Sequence, residues 1–159
     1  MNFAEGIRPF HETSSKDFLQ ATQISCFSLV TLSNALQDLF VDNASIVTVS
    51  ISDTRATSYG YLGPIKAALN SAVDYLAKSF SQFSQIRFNA VCSGPLKTSA
   101  AAGIPNYLDN YLYAEQLILR KKGLETREVA QTICFLLSPT SSGINASHIK
   151  VDGGMICNT

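Results

Sequence analysis

The stretch SYGYLGPIKAALNSAVDYLAKSF, residues 58–80, decides the fold. Ile65, Ala68, Leu69, Ala72, Val73, Leu76 and Phe80 recur at the spacing of one buried helix face. Pro64 has no N–H and is tolerated only in a first helical turn. The helix is therefore predicted to begin near Gly63, with Tyr59 on the approach to it. An apolar run flanks it on either side. SIVTVSI, residues 45–51, follows an Asp42-Asn43 turn and reads as a short buried strand; QIRFNAVC, residues 85–92, reads as a second, ended by Ser-Gly-Pro. A long helix between two strands predicts parallel pairing through a right-handed crossover.

The same alternation continues outward. Thr13-Ser14-Ser15 followed by Asp17 is a helix start, and residues 16–40 form two helices or one bent one. Leu29, Leu32, Leu36, Leu39 and Phe40 give its second part an apolar face. Residues 105–119 read as irregular helix. Thr126-Arg127-Glu128-Val129 opens a further helix, with Val129, Ile133, Leu136 and Leu137 apolar, that stops at Ser138-Pro139. ASHIKVDGG, residues 146–154, gives a third strand and a Gly turn. The fold class is α/β: a parallel sheet with flanking helices in one domain, residues 1–159. Ligands bind such sheets outside the carboxyl ends of the strands. Here those ends are Ser50–Asp53, Cys92–Thr98 and Asp152–Gly154.

Composition narrows the function. Lysine plus arginine balances aspartate plus glutamate at 12 each, and no long basic run occurs, which argues against nucleic acid. No apolar run reaches membrane-span length, and the start MNFAEGIRPFHE has no signal-peptide pattern, so a soluble, cytoplasmic protein is expected. Cys26, Cys92, Cys134 and Cys157 form no C-x-x-C pair and have mostly apolar neighbours. They are expected to be reduced, buried thiols, with no metal site.

Tyr59 and Lys66 are the residues with chemistry to offer. A lysine near a tyrosine favours the phenolate and is expected to lower its pKa, making the tyrosine a usable proton donor to a carbonyl or enolate oxygen. In isolation the pair is weak evidence, and a buried Tyr59 beside an unrelated Lys66 is the better reading.

The chain resembles the short-chain dehydrogenase/reductase family, and within it the enoyl-acyl-carrier-protein reductase branch. Most of that family has tyrosine and lysine four apart, but position 62 is leucine; the branch places them seven apart, as Tyr59 and Lys66 are. NAVCSGPLKT, Asn89–Thr98, is similar to the family's strand and cofactor loop. KTSAAAGIPNY, Lys97–Tyr107, is similar to the branch's substrate-covering segment, and residues 125–154 to the family's last helix, turn and strand. MNFAEG loosely echoes an Asn-rich turn.

This resemblance implies the C-terminal half of a Rossmann-type reductase using NAD(H) or NADP(H). It implies that Tyr59 steadies the enolate formed when hydride reaches an enoyl thioester of acyl-carrier protein or coenzyme A. Lys66 would hold the cofactor's ribose. Ser50, Gly94, Pro95, Leu96 and Thr98 would line the cofactor site, Leu96 through its backbone and Thr98 near the pyrophosphate. Ile51, Tyr59, Ala100 and Ile104 would line the substrate site. A homo-oligomer through helices near 24–40 and 64–82 is also implied. No G-x-x-x-G-x-G phosphate turn occurs in the chain, so a truncated, non-catalytic chain acting in assembly is the alternative.

Overall fold

The computed structural model describes residues 10–56, 59–102 and 107–158. Three parallel strands form one sheet in the order β1-β2-β3: β1 Ser45–Ile51, β2 Arg87–Ser93 and β3 Ser147–Val151. The register pairs Ser50 with Cys92 and Cys92 with Lys150, so all three carboxyl ends lie at one pole. The expected parallel α/β architecture is present.

The central strand is buried along its whole length. Alternate residues serve opposite layers. Ile46, Phe88, Ala90 and Cys92 face helix α3, Leu62–Phe80, and meet its Val73, Leu76, Ala77 and Phe80. Val47, Val91, Ile149 and Val151 face helix α6, Thr126–Leu137, through Val129, Ile133 and Leu136. Phe88, Val73 and Leu136 are fully enclosed, each contributing about 1.5–3 kcal/mol.

The chain enters through helix α1, Ser15–Thr22, a π turn at Gln23–Phe27 and helix α2, Ser28–Ala35, which together make one continuous helical rod. Ser14 caps it by accepting a hydrogen bond from Asp17 N at 3.1 Å. Phe18, Ala21, Cys26 and Leu29 bury against Ile65, Leu69 and Tyr61 of the α3 region. Leu32, Leu36 and Leu39, expected on the apolar face, are instead 57%, 39% and 78% exposed. Leu36 and Leu39 lie past the end of α2, at its C-cap and in a short 3-10 helix, where the spacing of an α-helix no longer applies. Leu137 is likewise exposed, as are Cys134 and Cys157; only Cys26 and Cys92 of the four free thiols are buried. Cys134 rides on the outer side of α6, whose inner side is set by Val129 and Leu136.

Helix α4, Ser99–Ala102, and helix α5, Tyr107–Leu117, follow β2. Ala114 and Ile118 pack on Met155 beyond β3. At the opposite pole Arg87 is buried, and its guanidinium donates to Ser141 O, Ser141 Oγ, Ile144 O and Ser138 O at 2.7–3.3 Å. Asn89 extends this tie, donating to Ile144 O and accepting from Ser147 N. These contacts fix the turn between α6 and β3.

Candidate functional site

The carboxyl pole gathers the residues singled out in the sequence. Ser50 ends β1 on the α3 side. Its hydroxyl is buried and, among the buried side-chain oxygens and nitrogens of the described residues, is the one that makes no hydrogen bond of ordinary geometry, although it is near enough to act on the Cys92 thiol. Beside it, burial raises the pKa of the Cys92 thiol, an effect that the Ser50 hydroxyl partly offsets. Beyond Ile51 the chain turns at Ser52, whose N–H donates to Ser93 O, and Asp53 accepts from Arg55 N.

Tyr59 stands before α3, outside the helix, as Pro64 requires: α3 starts at Leu62, which puts Pro64 in its first turn. Two glycines shape this approach. Gly60 has φ of 54°, a left-handed conformation that glycine adopts without a Cβ penalty. Gly63 passes so near the loop after β1 that a Cβ placed on it would lie 2.7 Å from Thr54 O. The half-buried Tyr59 hydroxyl has its pKa pushed up to about 12, by burial first and then by Tyr107 and Asp53, whose negative forms would oppose a phenolate. The expectation of an acidified tyrosine is therefore corrected: desolvation outweighs any help from Lys66.

Lys66, one turn into α3, donates from Nζ to Val49 O at 2.9 Å. Burial lowers its pKa, while the Cys26 and Cys92 thiols pull it back up. The lysine therefore reaches the carboxyl end of β1.

The loop after β2 is held from several sides. At Gly94 a Cβ would meet Leu124 Cδ1 at 3.0 Å and Asp152 Cα at 3.2 Å, so a larger residue there would crowd the end of β3. Pro95 is half-buried. Leu96 pairs with Leu124 in an isolated bridge, and its carbonyl accepts from Tyr107 Oη at 2.5 Å. Thr98 is exposed and caps α4 by accepting from Ala101 N at 3.1 Å, which leaves its hydroxyl proton free to donate. Lys97 Nζ sits 4.5 Å over the Tyr111 ring. Ala100 lies in α4; Ile104 and the Asn-rich echo at the start fall outside the described residues.

Three contributors were not singled out in the sequence. Tyr107 was quoted only as the end of a segment, yet it ties the loop to α5 and lies near Tyr59. Asp53 also bears on Tyr59. Asp152 is buried and accepts from Gly154 N and Ile156 N, shaping the turn at Gly153 and Gly154 that presses on Ile118 and Leu119. The Asp-Gly-Gly triplet was the available signal for the last of these.

Three parallel strands with helices on both faces define a Rossmann-like α/β class. The family model described as enoyl-(acyl carrier protein) reductase matches residues 2–156, and the chain belongs to that family. It is 37% identical over 147 residues to the NADH-type enoyl-acyl-carrier-protein reductase FabI of Nostoc, covering 91% of this chain and 57% of that protein. It is 33% identical to the NADPH-type FabI of Staphylococcus aureus with the same coverage. The enoyl-acyl-carrier-protein reductase structure of Aquifex aeolicus superposes with a TM-score of 0.90 at 30% identity, over 96% of this chain and 61% of that one. The Bacillus cereus enzyme, solved with NADP+ and an indole naphthyridinone, gives 0.89 at 30% identity, over 98% and 61%. The chain thus spans well under two thirds of the relatives it matches. No helix among the described residues is long and apolar enough to cross a membrane.

Proposed function

We propose that this chain carries the reacting end of a nicotinamide-dependent enoyl-thioester reductase, acting on a thioester of acyl-carrier protein or coenzyme A. The observation that supports the reading is a set of links at the carboxyl ends of β1 and β2: Lys66 Nζ reaches Val49 O next to Ser50, and Tyr107, which bears on Tyr59, bonds Leu96 O. The polar groups suit the nicotinamide end of NAD(H) or NADP(H): a buried hydroxyl at Ser50, a free hydroxyl proton at Thr98 and the remaining lone pair of the Leu96 carbonyl, which already accepts from Tyr107 Oη. When bound, the nicotinamide would supply hydride to the double bond.

The protein's own part is positional and electrostatic. Tyr59 keeps its proton at neutral pH, so it donates a hydrogen bond to the thioester oxygen and steadies the negative charge that develops there. Lys66 offers an ammonium to the ribose hydroxyls. Ile51 and Ala100 would line the acyl side, where isoleucine gives bulk without a ring or hydroxyl. Exposed Leu32 on α2, Leu36 at its C-cap and Tyr75 on α3 support a homo-oligomer through those helices.

A second reading, a non-catalytic chain acting in assembly, is favoured by one observation: Lys66 Nζ is engaged with Val49 O. Calorimetric titration with NADH and NADPH, followed by loss of 340 nm absorbance with an enoyl thioester, separates the two. Heat with either cofactor and turnover that Tyr59→Phe removes are expected; no heat with either would refute the catalytic reading for this chain.

A further inference from the structure

We propose that Asn70 and Cys92 are positioning residues of the candidate site, which orient the Ser50 hydroxyl so that it presents lone pairs, and not its proton, to a ligand at the carboxyl pole. The ligand group that meets Ser50 is then a hydrogen-bond donor, as the carboxamide and ribose hydroxyls of a nicotinamide nucleotide are. The nature of that ligand rests on the reductase reading. Ser50, Cys92 and Lys150 are register partners and form one row across β1, β2 and β3. Register partners in a parallel sheet send their side chains to the same face. For Cys92 that face is the one covered by α3.

Asn70 lies on α3 one turn beyond Lys66, farther from the carboxyl pole, because α3 leaves the end of β1 and descends to the start of β2. The Cys92 thiol donates to Asn70 Oδ1 at 3.9 Å. Asn70 is itself held in place. His148 Nε2 bonds its main-chain carbonyl at 3.0 Å and Asp74 Oδ1 at 3.2 Å, which pins this turn of α3 to β3. A carbonyl only accepts, so that ring nitrogen carries the proton. The side-chain carbonyl of Asn70 likewise only accepts. The Cys92 proton therefore points to Asn70, and the sulfur lone pairs are left for another donor.

Ser50 supplies that donor. It pairs with Cys92 across the sheet, is 2% exposed, and its hydroxyl makes no hydrogen bond of ordinary geometry. The hydroxyl favours the ionised form of the thiol, as an O–H turned towards sulfur does. Sulfur accepts weakly, and the lone pairs of the hydroxyl stay unmet. A buried polar group in that condition is costly until a donor reaches it. Lys66 Nζ is engaged with the carbonyl of Val49, the preceding residue, and does not fill the place. The order runs from the Ser50 O–H to the Cys92 S–H to Asn70 Oδ1, with each proton directed away from the carboxyl pole.

The test is infrared spectroscopy of the whole chain, reading the S–H stretch of Cys92 as the band that Cys92→Ala removes. A hydrogen bond donated by the thiol lowers that frequency, so Asn70→Leu should raise it. Asn70→Asp keeps an acceptor and removes the amide donors, and should hold the band low; a rise would overturn the direction of the bond. Ser50→Ala should raise it by less, because a donor on the sulfur strengthens the bond that the thiol makes. A band unmoved by Asn70→Leu or by Ser50→Ala overturns the proposal. Calorimetric titration with NADH reads the effect on the site. Ser50→Ala should weaken binding roughly 3–10-fold. Asn70→Leu should weaken it in the parent and not in the Ser50→Ala background, because it acts through Ser50. Equal losses in both backgrounds, the mark of a structural role, overturn the positioning claim. Cys92→Ser keeps a donor and an acceptor in place and should restore what Cys92→Ala loses. If the parent takes up no NADH, the ligand half falls with the reductase reading, while the infrared bands still decide the order of Asn70, Cys92 and Ser50.

Discussion

Gly63→Ala tests how the Tyr59 approach is held. Two effects oppose each other. Alanine in a helix is favoured over glycine by about 0.5–1 kcal/mol, which would stabilise α3 near its start. Against this, the new Cβ would lie 2.7 Å from Thr54 O, well inside the 3.4 Å at which ordinary contact begins. The obstacle is backbone, so no rotamer change relieves it. Overpacking of this kind costs about 1–3 kcal/mol. The clash wins, with a net loss of about 1–2 kcal/mol, read as a fall in Tm of roughly 2–8 °C for a chain of this size. Because Thr54 lies in the segment between β1 and Tyr59, the displacement should also shift the high-pH tyrosinate absorbance at 295 nm that belongs to Tyr59. A variant as stable as the parent, or more so, would refute the close approach. A stability loss with an unchanged Tyr59 titration would show that the 52–56 loop moves without carrying the tyrosine.

Other outcomes are expected together. In Tyr59 the hydroxyl titrates at about 12 when folded against 10 when unfolded, so a slope of decreasing stability between pH 10 and 12 is expected. Tyr59→Phe should flatten that slope in urea titrations run across the window. Glu128 is held down to about 2, first by its hydrogen bonds with Arg120. Its contribution is present above pH 4.5 and lost as pH falls through about 2, and Glu128→Gln should remove that acid limb in Tm measurements. The pair is exposed, so added salt should weaken the effect. Arg87→Met leaves Ser138 O, Ser141 O and Ile144 O each with at least one other donor and should cost about 1–3 kcal/mol by urea denaturation; no measurable loss would mean that the guanidinium adds nothing to those bonds. Tyr107→Phe loses the bond to Leu96 O and should weaken nicotinamide binding more than it lowers Tm, by calorimetry against differential scanning.

Much of the fold was legible because burial writes itself into periodicity. The α3 stripe, the apolar runs of β1 and β2 and the Pro64 constraint each follow from local rules, and the structure keeps all three. Leu36 and Leu39 were misread because α2 ends at Ala35, and the cap and 3-10 helix that follow do not keep the spacing on which the reading depended. Cys134 and Cys157 were misread because apolar sequence neighbours do not specify which side of an element faces water. At the site, Tyr59 and Lys66 were named from spacing, but the environment of Tyr59 was not. Its weak acidity comes first from burial that only the folded chain provides, and then from Tyr107 and Asp53, which lie 48 and six residues away in sequence. The direction of the Lys66 ammonium was equally hidden, because its acceptor is a main-chain carbonyl.

The Arg87 tie and the candidate site occupy opposite ends of β2. Seven residues of strand separate them by roughly 20 Å. Substitutions that far apart combine almost additively. The molecule is therefore divided into a pole that tolerates change at a cost in stability and a pole that tolerates change at a cost in binding. A chain reinforced around Ser138–Ile144 would gain stability to offset loop alterations at Ser93–Thr98, so new ligand preferences could be explored at one end without unfolding the other.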